Sequence, residues 1–262
     1  MKIKTIAAIL FFVSLFLNSH EAQSEEKWKE SKSLHFIIYY KEAPGDFVKS
    51  VEEESERYYD EIAKNLGFTR YEGWLWDDRA KIYIYDNGDD YVQSGRQAGW
   101  SHGVASVEQK VIRTYPAAHG FFDSTLPHEL GHIIFREFVG FKAQVPLWFE
   151  EGIAMYQEKA RRWGVHQTVK KALEAGTFIS LPDLTSTRLS ADSDPLMVQL
   201  FYDESASVVQ YLINDLGEYR FASFCRELEK GGPFEWTLQS VYYRFKNMED
   251  LNKAWVEFLK TQ

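Results

Sequence analysis

Residues 126–135 read LPHELGHIIF. Two histidines four apart, with a glutamate beside the first, stand in a stretch whose other members are apolar or small. A fold that uses this stretch as a helix must bury part of that polar face, and buried polar groups need partners. On an α-helix His128 and His132 lie above one another, so their ring nitrogens can converge on one point. Zinc binds imidazole nitrogen at about 2.0–2.1 Å and keeps a position open for water in catalytic sites. Glu129, one residue round the helix, can reach such a water without being a ligand. The spacing H-E-x-x-H therefore points to a zinc ion with a carboxylate base beside it. A third ligand has to come from elsewhere.

The segment VPLWFEEGIAMY, residues 145–156, contains only two charged residues, Glu150 and Glu151. An unpaired carboxylate in such surroundings costs roughly several kcal/mol or takes up a proton. A metal ion removes the difficulty for one of them. Eighteen residues separate His132 from Glu151, enough for one helix to end, turn, and let a second pass beside it. Adjacent residues on a helix point about 100° apart, so only one of the pair can face the histidines. Gly152, directly after Glu151, allows a close approach of backbones.

Upstream, LHFIIYYK (34–41) reads as a strand and PGDFVKSVEEESERYYDEIAKNLG (44–67) as an amphipathic helix, opened by Pro44 and closed by Gly67. Its apolar stripe runs through Phe47, Val51, Tyr58, Ile62 and Leu66. AKIYIYDN (80–87) is a second strand, ended by the turn signal Asn87-Gly88-Asp89, and VIRTY (111–115) a third. Strand, helix, strand predicts a βαβ start on a twisted sheet. The Ser-, Thr-, Asp- and Pro-bearing stretch 177–195 is the one long loop. Beyond it lie three or four amphipathic helices, with Phe221, Phe224, Cys225 and Leu228 on one buried face and Leu251, Trp255, Phe258 and Leu259 on another.

H-E-x-x-H followed after eighteen residues by Glu-Gly-x-Ala resembles the gluzincins, the thermolysin and aminopeptidase N type of zinc peptidase. It is most similar to the bacterial peptidase MA-like domains, whose second motif, Trp-x-x-Glu-Gly-x-Ala, is here Trp148 to Ala154. The resemblance implies an α+β, zincin-like fold: a small N-terminal twisted mixed sheet with helices, an active-site helix and a helical C-terminal lobe. It makes His128, His132 and Glu151 the zinc ligands and Glu129 the base. Glu158, seven residues after Glu151, matches an acid of the aminopeptidase N type and is a candidate for backing a ligand histidine through its second nitrogen. Thermolysin-type enzymes carry Asp four residues after the ligand Glu, where this chain has Met155. The class takes its oxyanion donor from the C-terminal lobe. Tyr202 is the candidate, with His166 behind it. Gly103, Val104 and Ala105 fall where gluzincins have the edge strand that binds an extended peptide. Aminopeptidases of the clan place an acid there for the substrate's amine. GVAS (103–106) has none, which favours cutting within chains.

The chain opens with Lys2 and Lys4, an apolar run from Ile6 to Leu17, and the small residues Ala22 and Ser24. That is the layout of a secretory signal peptide ending at 24, and the run is shorter than the ~20 residues of a spanning helix. The expected organisation is a signal peptide (1–24), a catalytic lobe (25–176) and a helical lobe (177–262), exported to a periplasm or the medium with no stable membrane insertion after cleavage. A net charge of −9 argues against nucleic acid and anionic lipid as partners, leaving peptide or protein substrates. Cys225 is the one cysteine, so no internal disulfide supports the core. The rival reading is a zincin-fold module that binds peptides or cell-envelope fragments without turnover. Its mark would be a missing base, yet Glu129 is present.

Overall fold

The computed structural model describes residues 28–68, 73–94, 104–159, 163–190 and 192–262. The expected signal peptide and Gly103 lie outside the described residues. Strand β2 (Phe36–Tyr40), helix α1 (Gly45–Asn65) and strand β3 (Ala80–Ile84) form the predicted βαβ unit, with β2 and β3 parallel in the register Phe36↔Ala80 to Tyr40↔Ile84. Alternation explains the pleat: Phe36 and Ile38, then Ala80, Ile82 and Ile84, are fully buried on the face that α1 covers. Helix α1 meets them with Val48, Val51, Tyr58 and Ile62, and Phe47 is only partly buried. Strand β5 (Val111–Thr114) joins β3 in parallel.

Two further strands close the sheet. Strand β1 (Lys29–Lys32) runs antiparallel to β2, and β4 (Val104–Ser106) antiparallel to β5, giving the order β1-β2-β3-β5-β4. The sheet is mixed, and β1 and β4 are its two edges. Asn87, predicted to begin a turn, instead caps a short helix α2 (Gly88–Gln93) by accepting from the Asp90 amide at 3.0 Å.

From Phe121 the chain is helical. A π-turn (Phe121–Thr125) leads into α3 (Leu126–Val139), which Gly140 ends at φ +82°. Helix α4 (Leu147–Gln157) returns beside it. Then come α5 (Val165–Ala175), α6 (Leu181–Ser186), α7 (Pro195–Gln210), α8 (Glu218–Glu229), α9 (Phe234–Val241) and α10 (Met248–Lys260). The expected loop 177–195 thus contains a short helix. Ser180 caps it by accepting from the Asp183 amide, and Leu181 and Leu184, three apart, are buried. The class is α+β.

Helix α4 lies between α3 and α7. The two crossings are tight for a specific reason. A Cβ on Gly131 of α3 would come within 3.1 Å of the Ala154 backbone of α4, and one on Gly152 would come within 2.3 Å of the Ser205 carbonyl oxygen of α7. Glycine alone allows the second approach. One continuous core runs from Phe36 to Leu259 and takes in Phe221, Phe224, Cys225, Leu228, Leu251, Trp255 and Leu259. Cys225 is fully buried and its thiol is pushed well above the usual range by burial. Glu204 of α7 is also fully buried. One oxygen accepts from the Ile179 amide at 2.9 Å, and Oε2 has no hydrogen-bond partner among the described residues, so burial pushes the carboxyl up to about 8. Among the described residues no helix is long and apolar enough to cross a membrane.

Candidate metal centre

One helical turn separates His128 from His132 on α3, and their Nε2 atoms lie 3.1 Å apart. The close crossing of α4 over α3 brings Glu151 to them. Its Oε2 is 3.6 Å from Nε2 of His128 and 3.7 Å from Nε2 of His132. The centre of a triangle with those sides lies about 2.0 Å from each corner, which is the distance zinc keeps from such nitrogen and oxygen donors. Two neutral imidazoles and one carboxylate are also a donor set that suits zinc. The residues fit the ion. His128, His132 and Glu151 form the one such group of three among the described residues, and their side chains are only 11–19% exposed.

The electrostatics agree with the geometry. Burial pushes His128 down, but hydrogen bonds to Glu151 and Glu158 and the charge of Glu129 outweigh it and raise the imidazole to about 10. Burial likewise pushes Glu151 up, and the two histidines outweigh it and hold the carboxylate at about 2. Positive charge is favoured at this spot, whether carried by a proton or a cation.

Glu158 lies beside His128, at the end of α4. Helix α4 ends at Gln157, and Glu158 is its cap, in extended backbone at φ −73°, ψ 111°. The side chain is buried, with Oε1 2.9 Å from His128 Nδ1 and Oε2 accepting from Ser124 Oγ at 2.6 Å. Nδ1 faces the acid and Nε2 faces the donor triangle, the arrangement by which an outer carboxylate orients a ligand imidazole. Ser124, in the π-turn before α3, had no sequence signal.

Glu150 is paired with an arginine. Arg136, one turn after His132, donates Nε to its Oε1 at 2.8 Å and Nη2 to its Oε2. Arg136 Nη1 also donates to the Ala143 carbonyl at 2.9 Å. Oε1 of Glu150 stands 3.8 Å from His132 Nδ1, beyond hydrogen-bond range. The signal available for Arg136 was its place four residues after His132, on the face already known to meet Glu150's helix.

The remaining candidates are dispersed around this group. Glu129 follows His128 on α3 and is half-buried. Tyr202 of α7 packs against Met155, Val165 and Ala206, and Met155 is one turn along α4 from Glu151. Strand β4, with the backbone of Val104 and Ala105 paired to Arg113 and Ile112, approaches α3. His166 is in the core. Its Nδ1 lies 2.9 Å from Ser207 Oγ, which accepts from Trp255 Nε1 at 3.1 Å, and burial lowers it to about 4. His35 is held by Glu56 at 2.6 Å and stacks on Tyr59. His119 lies in a turn.

A profile of the Peptidase MA superfamily matches residues 69–261, most of the chain and all three donors. The chain belongs to the Peptidase MA superfamily. Membership in a metallopeptidase superfamily implies a metal, and the three-donor group is where this chain can hold one. The chain is also similar to a yeast LTA4 hydrolase solved in complex with bestatin, at 17% identity and a TM-score of 0.45. That match covers 85% of this chain and 37% of the other, so this Peptidase MA member spans well under half of that protein's length. A search of curated proteins finds no match.

Proposed function

We propose that this chain is an exported zinc-dependent metallopeptidase that hydrolyses peptide bonds, cutting within chains rather than from a free amino end. The observation that carries the reading is the triangle of His128, His132 and Glu151, whose sides of 3.1, 3.6 and 3.7 Å suit one zinc ion. Zinc there would supply an acidified water and a polarised substrate carbonyl. The chain's own residues do the rest. Glu129, outside the triangle, takes a proton on its carboxylate from the attacking water and returns it to the leaving nitrogen. Tyr202 donates its hydroxyl to the developing oxyanion. The edge strand β4, through Val104 and Ala105, pairs with an extended peptide, and Gly103, the preceding residue in the sequence, contributes to the same binding. Glu158 holds His128 with Nε2 facing inward. Export rests on the leader-like residues 1–24.

The test combines metal analysis with cleavage of unfolded casein and of one peptide in free and N-acetylated forms. Wild type is expected to hold one zinc and to cut both peptide forms. Glu129→Gln should keep zinc and lose about 10²–10⁴-fold in turnover, and Glu151→Ala should lose zinc. Wild-type protein that binds zinc at these residues without cleaving would be a binding module. Cleavage of the free-amine peptide alone, one residue at a time, would make it an aminopeptidase.

A further inference from the structure

Two adjacent glutamates on α4 approach His132, and only Glu151 reaches both histidines to form the donor triangle. Resting on the metal reading above, we propose that Arg136 makes that selection by withholding Glu150 from the cation. The guanidinium occupies both oxygens of Glu150, through Nε at 2.8 Å and through Nη2. It is itself fixed by the Ala143 carbonyl at 2.9 Å, in the turn that joins α3 to α4. Both side chains are mostly buried, at 17% and 19% exposure, so water screens the pair little and two-pronged geometry gives it strength.

Without the arginine, a carboxylate would stand 3.8 Å from His132 Nδ1 with nothing to balance its charge. A bound dication would draw it in, either as an extra ligand or by pulling the His132 ring. With the arginine, the pair is neutral, and Glu151 is the carboxylate that meets the cation. The same pair holds α3 and α4 together, but a clamp and a selector predict different outcomes when both partners are removed.

The experiment uses the mature chain loaded with cobalt as a visible probe, in four forms: wild type, Arg136→Gln, Glu150→Gln and the double variant. Cobalt affinity is measured by competition with a chelator, alongside the visible absorption spectrum. Arg136→Gln leaves a net negative charge beside the site. It should bind cobalt at least about threefold tighter, the scale expected of a unit charge acting through a partly solvated medium, with an altered spectrum. Glu150→Gln leaves a net positive charge and should bind more weakly, with the wild-type spectrum because Glu150 is no ligand. The double variant restores neutrality and should return both affinity and spectrum to wild type. A clamp alone would make Arg136→Gln and the double variant weaken alike, and that result overturns the proposal. So does an altered spectrum in Glu150→Gln, a mild change that keeps an acceptor for Arg136 and tests the idea even if the arginine variants fail to fold. Wild-type protein that bound no cobalt would overturn the metal reading as well, whereas failure confined to the variants would overturn the selection alone.

Discussion

Replacing Gly152 with alanine places a methyl group in the crossing of α4 and α7. Its carbon would stand 2.3 Å from the Ser205 carbonyl oxygen, 2.6 Å from Val209 Cγ2 and 2.8 Å from the Ser205 carbonyl carbon. Carbon contacts settle near 3.5–4.0 Å, so the helices must part by about 1 Å. Two of the three obstacles are backbone, so no rotamer change relieves them. Overpacking of this kind costs about 1–3 kcal/mol, with the backbone clash at the upper end. The alanine recovers roughly 1 kcal/mol of helix propensity, leaving a net loss of about 2 kcal/mol. For a domain of this size each kcal/mol moves the melting temperature by roughly 2–4 °C, so Gly152→Ala should melt about 4–8 °C lower. Glu151 is the preceding residue, so zinc affinity should fall with it. Gly45→Ala is the control. Nothing lies within 4 Å of its added carbon, and its effect should stay within about 0.5 kcal/mol. Thermal unfolding followed by circular dichroism, with zinc competition on the same samples, measures both. A Gly152→Ala melting point within about 2 °C of wild type would refute the close-approach argument.

Glu204 predicts a pH dependence of stability. Its folded value of about 8 lies above the ordinary 4.5, so the folded chain keeps a proton that the unfolded chain releases. Stability from this group is full below about 4.5 and is lost as pH rises towards 8, by up to roughly 4–5 kcal/mol. Glu204→Gln keeps an acceptor for Ile179 and should remove this slope in urea unfolding at pH 5 and 8.5; parallel slopes in the two proteins would contradict it. Tyr202→Phe should lower kcat by about 10²–10³-fold with KM little changed, as for loss of an oxyanion donor. Equal kcat in the two proteins would return Tyr202 to the role of a packing residue.

What could be read in advance follows from how local each cause was. The βαβ unit was legible because Phe36 and Ile38, Ala80 and Ile82, and the stripe of α1 carry their periods in consecutive residues. The histidine pair was legible for the same reason, one helical turn being a local distance. Strand β1 was not, since KESK has no apolar alternation and is largely exposed, existing only by pairing with β2. Helix α6 hid in a loop-like composition because two leucines and a serine cap suffice once α10 covers them. At the site, the Glu150–Arg136 pair and the Ser124–Glu158–His128 chain span different elements. Their partners are chosen by how α3 and α4 cross, which is set by the close approach of Gly131 to Ala154 and not by spacing along either helix.

The sealed position of Cys225 has a practical consequence. It is the chain's one thiol, it has no accessible surface, and burial keeps it in the unreactive protonated form. Alkylating reagents therefore meet no target until α8 leaves the core, and the labelling rate becomes a clock for that opening. The silent background also makes any cysteine introduced at an exposed position, such as that of Trp163 at 86% exposure, a unique handle for a fluorophore or spin label.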